Sequence, residues 1–233
     1  MISSVPVTRF RDRREAGESL GASLTRYANR DEVVVLGLPR GGVPVAFEVA
    51  RALGAPLDVF LVRKLGAPGH AEFAIGAIAA GGVRVLSHDV IAELRIPREM
   101  VEEVAERERL ELERREEAYR GDRPKPQLQG RTVIVIDDGL ATGSTMEAAV
   151  SALREHRPAR IVVAVPVGAV ESCRRLRALA DEVICLRTPE PFNAVGLWYQ
   201  RFDQTTDSEV VELLRRAARF AVADSRPALR VET

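Results

Sequence analysis

The run Val133-Ile134-Val135-Ile136-Asp137-Asp138-Gly139-Leu140-Ala141-Thr142-Gly143-Ser144-Thr145 reads as a strand, a tight turn and the start of a helix. Four consecutive apolar residues mark a strand covered on both faces, and in open α/β sheets ligands bind beyond the C-terminal ends of such strands. Two adjacent carboxylates at that place are costly unless hydroxyls or a cation engage them. Gly139 and Gly143 permit a tight loop with free N–H groups. The hydroxyls of Thr142, Ser144 and Thr145 and the helix N-terminus complete a cradle for a phosphate monoester. The spacing is too short for a Walker loop, no lysine follows the second glycine, and the pattern is not G-x-G-x-x-G.

Outward from this run the chain alternates. Upstream, residues 12–30 carry Leu20, Leu24 and Tyr27 at helical spacing. A short apolar strand over Val33–Leu38 then leads into a helix over Val43–Leu53, and a second strand covers Leu57–Val62. Residues 65–72 read as a loop, followed by a hairpin of 74–79 with 83–86. Residues 98–117 contain 14 charged residues and a narrow stripe of Met100, Val101, Val104 and Ala105, which predicts a long, mostly solvated helix bracing one side of the domain. Residues 121–130 read as a linker. Downstream come a helix over 146–155, a strand over Ile161–Val165, a helix over 170–180, a strand over Glu182–Leu186, an aromatic loop over 189–203 and a last helix over 207–222. Strands alternating with helices imply right-handed crossovers and a parallel sheet, so the fold class is α/β.

Composition narrows the function. The 233 residues hold 34 basic and 34 acidic side chains, so the formal charge is zero and nothing favours a nucleic-acid partner held through phosphates. Cys173 and Cys185 stand outside any CxxC or Cys/His cluster and read as idle thiols of a reducing compartment. The N-terminus lacks the basic-then-apolar pattern of a signal peptide, and no apolar run reaches the roughly 20 residues of a membrane span. The expectation is a cytoplasmic protein without a membrane partner.

A second anion site follows from Leu38-Pro39-Arg40-Gly41-Gly42, where a strand end, two glycines, an arginine and a helix start expose amides. With this second site, the run at 133–145 resembles the 5-phosphoribosyl-1-pyrophosphate (PRPP) motif of type I phosphoribosyltransferases. The likeness extends over about residues 10–205 and to a bacterial subgroup usually described only by the family name. It implies that Asp137 and Asp138 hold the ribose hydroxyls while Gly139 and Ala141 to Thr145 hold the 5′-phosphate. It also implies that Arg40, Gly41 and Gly42 form the pyrophosphate loop, with a cis peptide at Pro39–Arg40. Arg63-Lys64, with His70 and Glu72 beyond them, is similar to the mobile loop of orotate phosphoribosyltransferases, whose cations neutralise departing pyrophosphate, often in the neighbouring subunit.

The aromatic group Phe192, Trp198, Tyr199 and Phe202 offers a flat slot for a base. Around it, Pro191-Phe192 and Val195-Gly196 are faintly similar to hypoxanthine-guanine enzymes. Those enzymes have an aspartate where Gln200 stands, another where Ala141 stands, and a lysine absent from Ile161–Pro166, so the acceptor stays open. The resemblance implies one phosphoribosyltransferase domain over 1–223, with a small hood from about 1–30 and 188–205, a helical insertion at 97–120 and a tail at 224–233. It further implies Mg²⁺ carried with PRPP, with Asp138 as a possible contact, and a homodimer. The implied activity is transfer of 5-phosphoribosyl to a nitrogen acceptor, a nucleobase or similar ring, with release of pyrophosphate. The alternative is a non-catalytic sensor of PRPP or nucleotides, which has no need of Arg63-Lys64.

Overall fold

Strands made wholly of apolar residues need cover on both faces, and the arrangement of the chain supplies it. The computed structural model describes residues 8–68, 70–79, 82–121 and 123–223, with the backbone alone for 70–73 and 219–223. The proposed tail at 224–233 and the first seven residues of the proposed hood lie outside the described residues. Helix α1 (Arg13–Ser23) leads through a 3₁₀ turn to β1 (Val33–Gly37), α2 (Gly42–Leu53) and β2 (Leu57–Val59). Strands β3 (Val62–Ala67), β4 (His70–Ala79) and β5 (Arg84–Leu86) follow, then α3 (His88–Glu93) and α4 (Arg98–Arg120). The alternation resumes with β6 (Thr132–Ile136), α5 (Ser144–Glu155), β7 (Arg160–Val167), α6 (Val170–Leu176), β8 (Glu182–Arg187) and α7 (Asp207–Ala223).

The main sheet has the order β2-β1-β6-β7-β8 with every neighbouring pair parallel. Its side chains alternate between two cores. Val33, Val35, Ile134, Ile136, Val162 and Ala164 join α1, α2, α4 and α7 on one face. Val34, Leu36, Val133, Val135, Ile161 and Val163 join α5 and α6 on the other. This two-residue period, buried both ways, is why the strands carry no polar face. The sheet order brings the C-terminal ends of β1, β6 and β7 side by side, with the turns after them at one edge.

The second sheet, β3-β4-β5, is antiparallel. It corrects the expected loop at 65–72, which is largely strand. The pairing of β3 with β4 shifts register at Leu65/Gly66 and Gly66/Ala67, so the small residues there mark irregularities within a ladder. The expected single strand at 57–62 divides at Phe60–Leu61. Its first half stays in the parallel sheet, where Phe60 N donates to Gly37 O at 3.1 Å, and its end begins the antiparallel one. Helix α3 was not expected, and it buries none of its residues. Helix α5 starts two residues earlier than expected, and α6 stops at Leu176.

Helix α4 buries Val101, Val104, Ala105, Leu112 and Tyr119 against α7 and the β3–β4 pair, while its other faces are laced with arginine–glutamate pairs. Near its end the buried Arg120 reaches Asp58 of β2 at 3.1 Å, tying the helix to the sheet edge.

Candidate active site

At the end of β6 the chain turns sharply, and its carbonyls are held from outside the turn. Ser172 Oγ donates to Ala141 O at 2.6 Å and Arg175 Nη2 donates to Thr142 O at 2.5 Å. Across a trans peptide the N–H points away from the C=O, so the amides of Thr142 and Gly143 face away from α6. Gly143 sits at φ 75°, a left-handed conformation open to glycine, and it opens α5 with no side-chain cap. The first amides of α5 are therefore unclaimed by a capping side chain, the condition for an anion site. Thr142 Oγ1 and Ser144 Oγ lie 3.2 Å apart at its mouth. Asp137, Gly139 and the loop through Met146 line a cavity of about 180 Å³, closed on one side by Val195.

The two carboxylates differ in their surroundings. Arg13, in the first turn of α1, donates to Asp138 Oδ2 from Nε at 2.9 Å and lies 2.8 Å from it through Nη2. Their side chains are only 12% and 14% exposed, so the pair is largely desolvated. Arg13 also donates to Asp203 O at 2.6 Å and stacks on Phe202 at 3.9 Å from the ring centre. Asp137 has the Asp138 amide, which donates to its Oδ1 at 2.8 Å. Burial first, and then the neighbouring carboxylate, push the Asp137 carboxyl well above its usual range. Burial also raises Asp138, against the opposing pull of Arg13. Tyr199 donates its hydroxyl to Asp138 O at 2.6 Å.

The second anion loop packs directly on this pair. Leu38 N donates to Ile136 O at 2.8 Å, and the Pro39–Arg40 peptide is cis, as expected. A Cβ on Gly41 would lie 2.1 Å from Asp138 Oδ2, and one on Gly42 would lie 2.6 Å from Ile136 O. A side chain at either position would press on a neighbour, the Asp138 carboxylate at Gly41 and backbone at Gly42. Arg40 stands 3.9 Å from Asp207 at the start of α7, and the Tyr119 hydroxyl of α4 donates to that same carboxylate.

The other expected residues fall into place unevenly. Lys64 Nζ donates to Ser144 Oγ at 3.3 Å, so β3 reaches the phosphate loop. Arg63 instead pairs with Glu108 of α4. Both arginine and lysine line a larger cavity, of about 710 Å³, between β3, α4 and the start of α5, where Thr145 forms part of the wall. His70 and Glu72 belong to β4 by their backbone, and their side chains lie outside the described residues. Phe192 and Trp198 stack on each other, 6.5 Å between ring centres and 21° between planes, beside a small cluster of Phe10, Ala16, Val167 and Tyr199. Val195, which packs on the same cluster, also lines the cavity at the phosphate loop, so the aromatic segment adjoins that loop.

Two site residues escaped the sequence reading. Arg13 is one arginine among many, more than half the chain away from the motif it serves, and no local pattern marks it. Arg175 sits in a helix whose role becomes visible only when α6 is seen against the loop.

A phosphoribosyl transferase domain model matches residues 13–200. The chain belongs to that family. A provisionally named phosphoribosyl transferase of Mycobacterium tuberculosis H37Rv is 48% identical over 215 residues, covering 92% of this chain and 48% of that protein; the matching protein of strain CDC 1551 gives the same figures. The chain thus spans about half the length of the curated relatives it matches. The crystal structure of TT1426 from Thermus thermophilus is 48% identical, superposes with a TM-score of 0.81, and covers 90% of this chain and 99% of that one. The central parallel sheet flanked by helices is the type I arrangement of the family. Among the described residues no helix is long and apolar enough to cross a membrane.

Proposed function

We propose that this phosphoribosyltransferase-family protein moves 5-phosphoribosyl from PRPP to a nitrogen acceptor and releases pyrophosphate. The observation that carries the reading is the meeting of three parts at one strand end. Two carboxylates with raised pKa, an uncapped helix start behind an amide-rich turn, and a glycine loop in contact with the carboxylates stand together. The 5′-phosphate is assigned to residues 141–145, the ribose hydroxyls to Asp137 and Asp138, and the pyrophosphate to Arg40–Gly42. Hydroxyl donors relieve the desolvated carboxylates, and Arg13 holds Asp138 in position for them.

Among the described residues no cluster of three or more His, Cys, Asp or Glu forms a metal cage. The two adjacent carboxylates suit a magnesium ion that arrives with most of its ligands, since Mg²⁺ typically keeps waters and substrate phosphates and takes one or two carboxylates. Asp138, with Asp137, would hold it, and it would supply neutralising charge to the leaving pyrophosphate. Lys64 and Arg63 are assigned to the same leaving group.

The acceptor is assigned to the hood segments at 8–30 and 188–205, with Phe192 and Trp198 offering the stacked aromatic surface. A homodimer accords with the family resemblance. A cytoplasmic location accords with the two free thiols, Cys173 and Cys185.

The test is pyrophosphate release from PRPP with Mg²⁺ across purines, pyrimidines, pyridine carboxylates and ammonia, with Asp138→Asn as control. Release that depends on one acceptor and falls by orders of magnitude in the variant is expected; near-normal turnover in Asp138→Asn sinks the assignment. One observation favours a second reading: Arg63 is engaged by Glu108 and not by the phosphate loop. A PRPP sensor of this fold would bind PRPP and release no pyrophosphate with any acceptor.

A further inference from the structure

The inserted helix α4 faces the pyrophosphate loop with one side of its last two turns. Arg115 lines a narrow cleft together with Leu38 and Pro39, which lead into that loop, and with Arg63 and Thr145. The cleft shares Val62, Arg63 and Thr145 with the larger cavity, so the two adjoin. One turn further along α4, the Tyr119 hydroxyl feels both Arg115 and Arg40 electrostatically, and its partner Asp207 stands 3.9 Å from Arg40. Arg115 and Arg40 are therefore both near the Tyr119–Asp207 pair. The partner of Arg115 in the structure is Glu111, one turn back, with Nε 2.7 Å from Oε1. A half-exposed i,i+4 pair of this kind is weak and easily exchanged for a stronger anion. Its neighbour Arg114 holds both oxygens of the same Glu111, Nε at 2.8 Å from Oε2 and Nη2 at 3.0 Å from Oε1, but does not line the cleft.

We propose that Arg115 of the inserted helix is a further contact for the pyrophosphate group, reaching it across Pro39. The proposal rests on the reading of residues 38–42 as the pyrophosphate loop. It gives the inserted helix a part in ligand binding beyond bracing the domain. An arginine fork presents paired donors to phosphate oxygens, which suits a doubly charged diphosphate better than a single hydroxyl or carboxylate.

The test measures binding of inorganic pyrophosphate with Mg²⁺, and separately of ribose 5-phosphate, to the full chain by calorimetry. Arg115→Met is expected to weaken pyrophosphate binding by about tenfold or more, about 1.4 kcal/mol, and to leave ribose 5-phosphate within twofold. Arg114→Met removes the twin contact to Glu111 and is expected to change neither ligand. Arg115→Lys keeps the charge without the fork and recovers part of the pyrophosphate affinity. Equal behaviour of the two methionine variants overturns the proposal. So does a joint loss of both ligands in Arg115→Met that Arg115→Lys fails to restore. Wild-type protein that binds ribose 5-phosphate but not pyrophosphate overturns it and leaves the phosphate-loop assignment standing. Wild-type protein that binds neither ligand overturns the proposed function as well.

Discussion

Replacement of Gly41 by alanine separates the geometry of the site from the stability of the fold. Gly41 has the backbone of an ordinary helical residue, φ −63° and ψ −31°, so alanine is conformationally permitted and, by restricting the unfolded chain, contributes about 0.4–1 kcal/mol of stability. What it adds is a methyl group 2.1 Å from Asp138 Oδ2 and 2.8 Å from its Cγ. Carbon–oxygen contacts settle at about 3.3 Å, so the carboxylate oxygen must retreat by about 1.2 Å. That oxygen is the one Arg13 grips at 2.8 and 2.9 Å, and Arg13 is itself fixed by Asp203 O and the Phe202 ring. The retreat is taken up by the carboxylate and its guanidinium moving together, which displaces the site without leaving either charge unpaired. A misplacement of about 1 Å in a positioning group costs roughly a hundredfold in rate. The expected outcome is a kcat/KM for PRPP about a hundredfold lower, with ribose 5-phosphate affinity reduced in calorimetry and the Tm within about 4 °C of the parent. Gly42→Ala makes the contrast, because its methyl group meets Ile136 O at 2.6 Å and Asp137 Cα at 2.9 Å, both backbone atoms that cannot swing aside. It should cost about 1–3 kcal/mol of stability, as overpacking does. Undiminished ribose 5-phosphate affinity in Gly41→Ala refutes the reasoning.

Two further outcomes follow from the carboxylates. Because burial raises the Asp137 pKa in the folded protein, folding opposes its ionisation; the penalty is absent below the unfolded value, about 3.9, and grows as pH rises towards the folded value. Asp137→Asn should therefore raise the Tm at pH 7–8, by about 2–4 °C for each kcal/mol relieved, with the gain vanishing near pH 4 while ribose 5-phosphate binding is lost. A lower Tm at pH 7 contradicts this. Arg13→Met leaves Asp138 buried without its guanidinium and should destabilise by about 3 kcal/mol, seen as a lower midpoint in urea. Adding Asp138→Asn should restore about 1 kcal/mol or more of that loss, and strict additivity of the two changes argues against a coupled pair.

The parts of this fold that sequence reading reached are those where one interaction dominates locally. Val133–Ile136 is buried on both faces, so periodicity has no polar positions to confuse it, and Asp137 and Asp138 at its end can only be ligand-facing or ruinously desolvated. The glycines at 41 and 42 and at 143 were visible for the same reason: a side chain there would press on a neighbour or strain the backbone. Reading failed where tertiary pairing overrides local chemistry. Gly66, Ala67 and Pro68 look like a loop, yet the irregular ladder between β3 and β4 carries the first two. Arg13 and Glu108 were out of reach for another reason. Each acts on a site residue far along the chain, 125 positions to Asp138 in one case and 45 to Arg63 in the other, and a single sequence contains no term for that distance.

The charges at the site form a pattern that bears on how it meets its substrate. Each arginine assigned to the pyrophosphate is matched by a carboxylate from outside the two anion loops: Arg40 by Asp207 of α7, Arg63 by Glu108 of α4, and Arg115 by Glu111 of α4. Glu108 also stands 3.5 Å from Arg107, so it keeps a cation when Arg63 leaves it. Lys64, by contrast, touches the Ser144 hydroxyl and, among the described residues, no carboxylate. In a partly desolvated cleft a cluster of unmatched guanidinium groups would repel strongly, and intramolecular carboxylates relieve that repulsion at little cost. In the proposed reaction the same carboxylates must be exchanged for the diphosphate. Phosphate oxygens win the exchange because they carry more charge and accept forked donors from several arginines at once. On this view α4 and α7 hold the leaving-group cations at high local density in the free protein. The single unmatched lysine at the phosphate loop then offers an incoming anion its first strong contact.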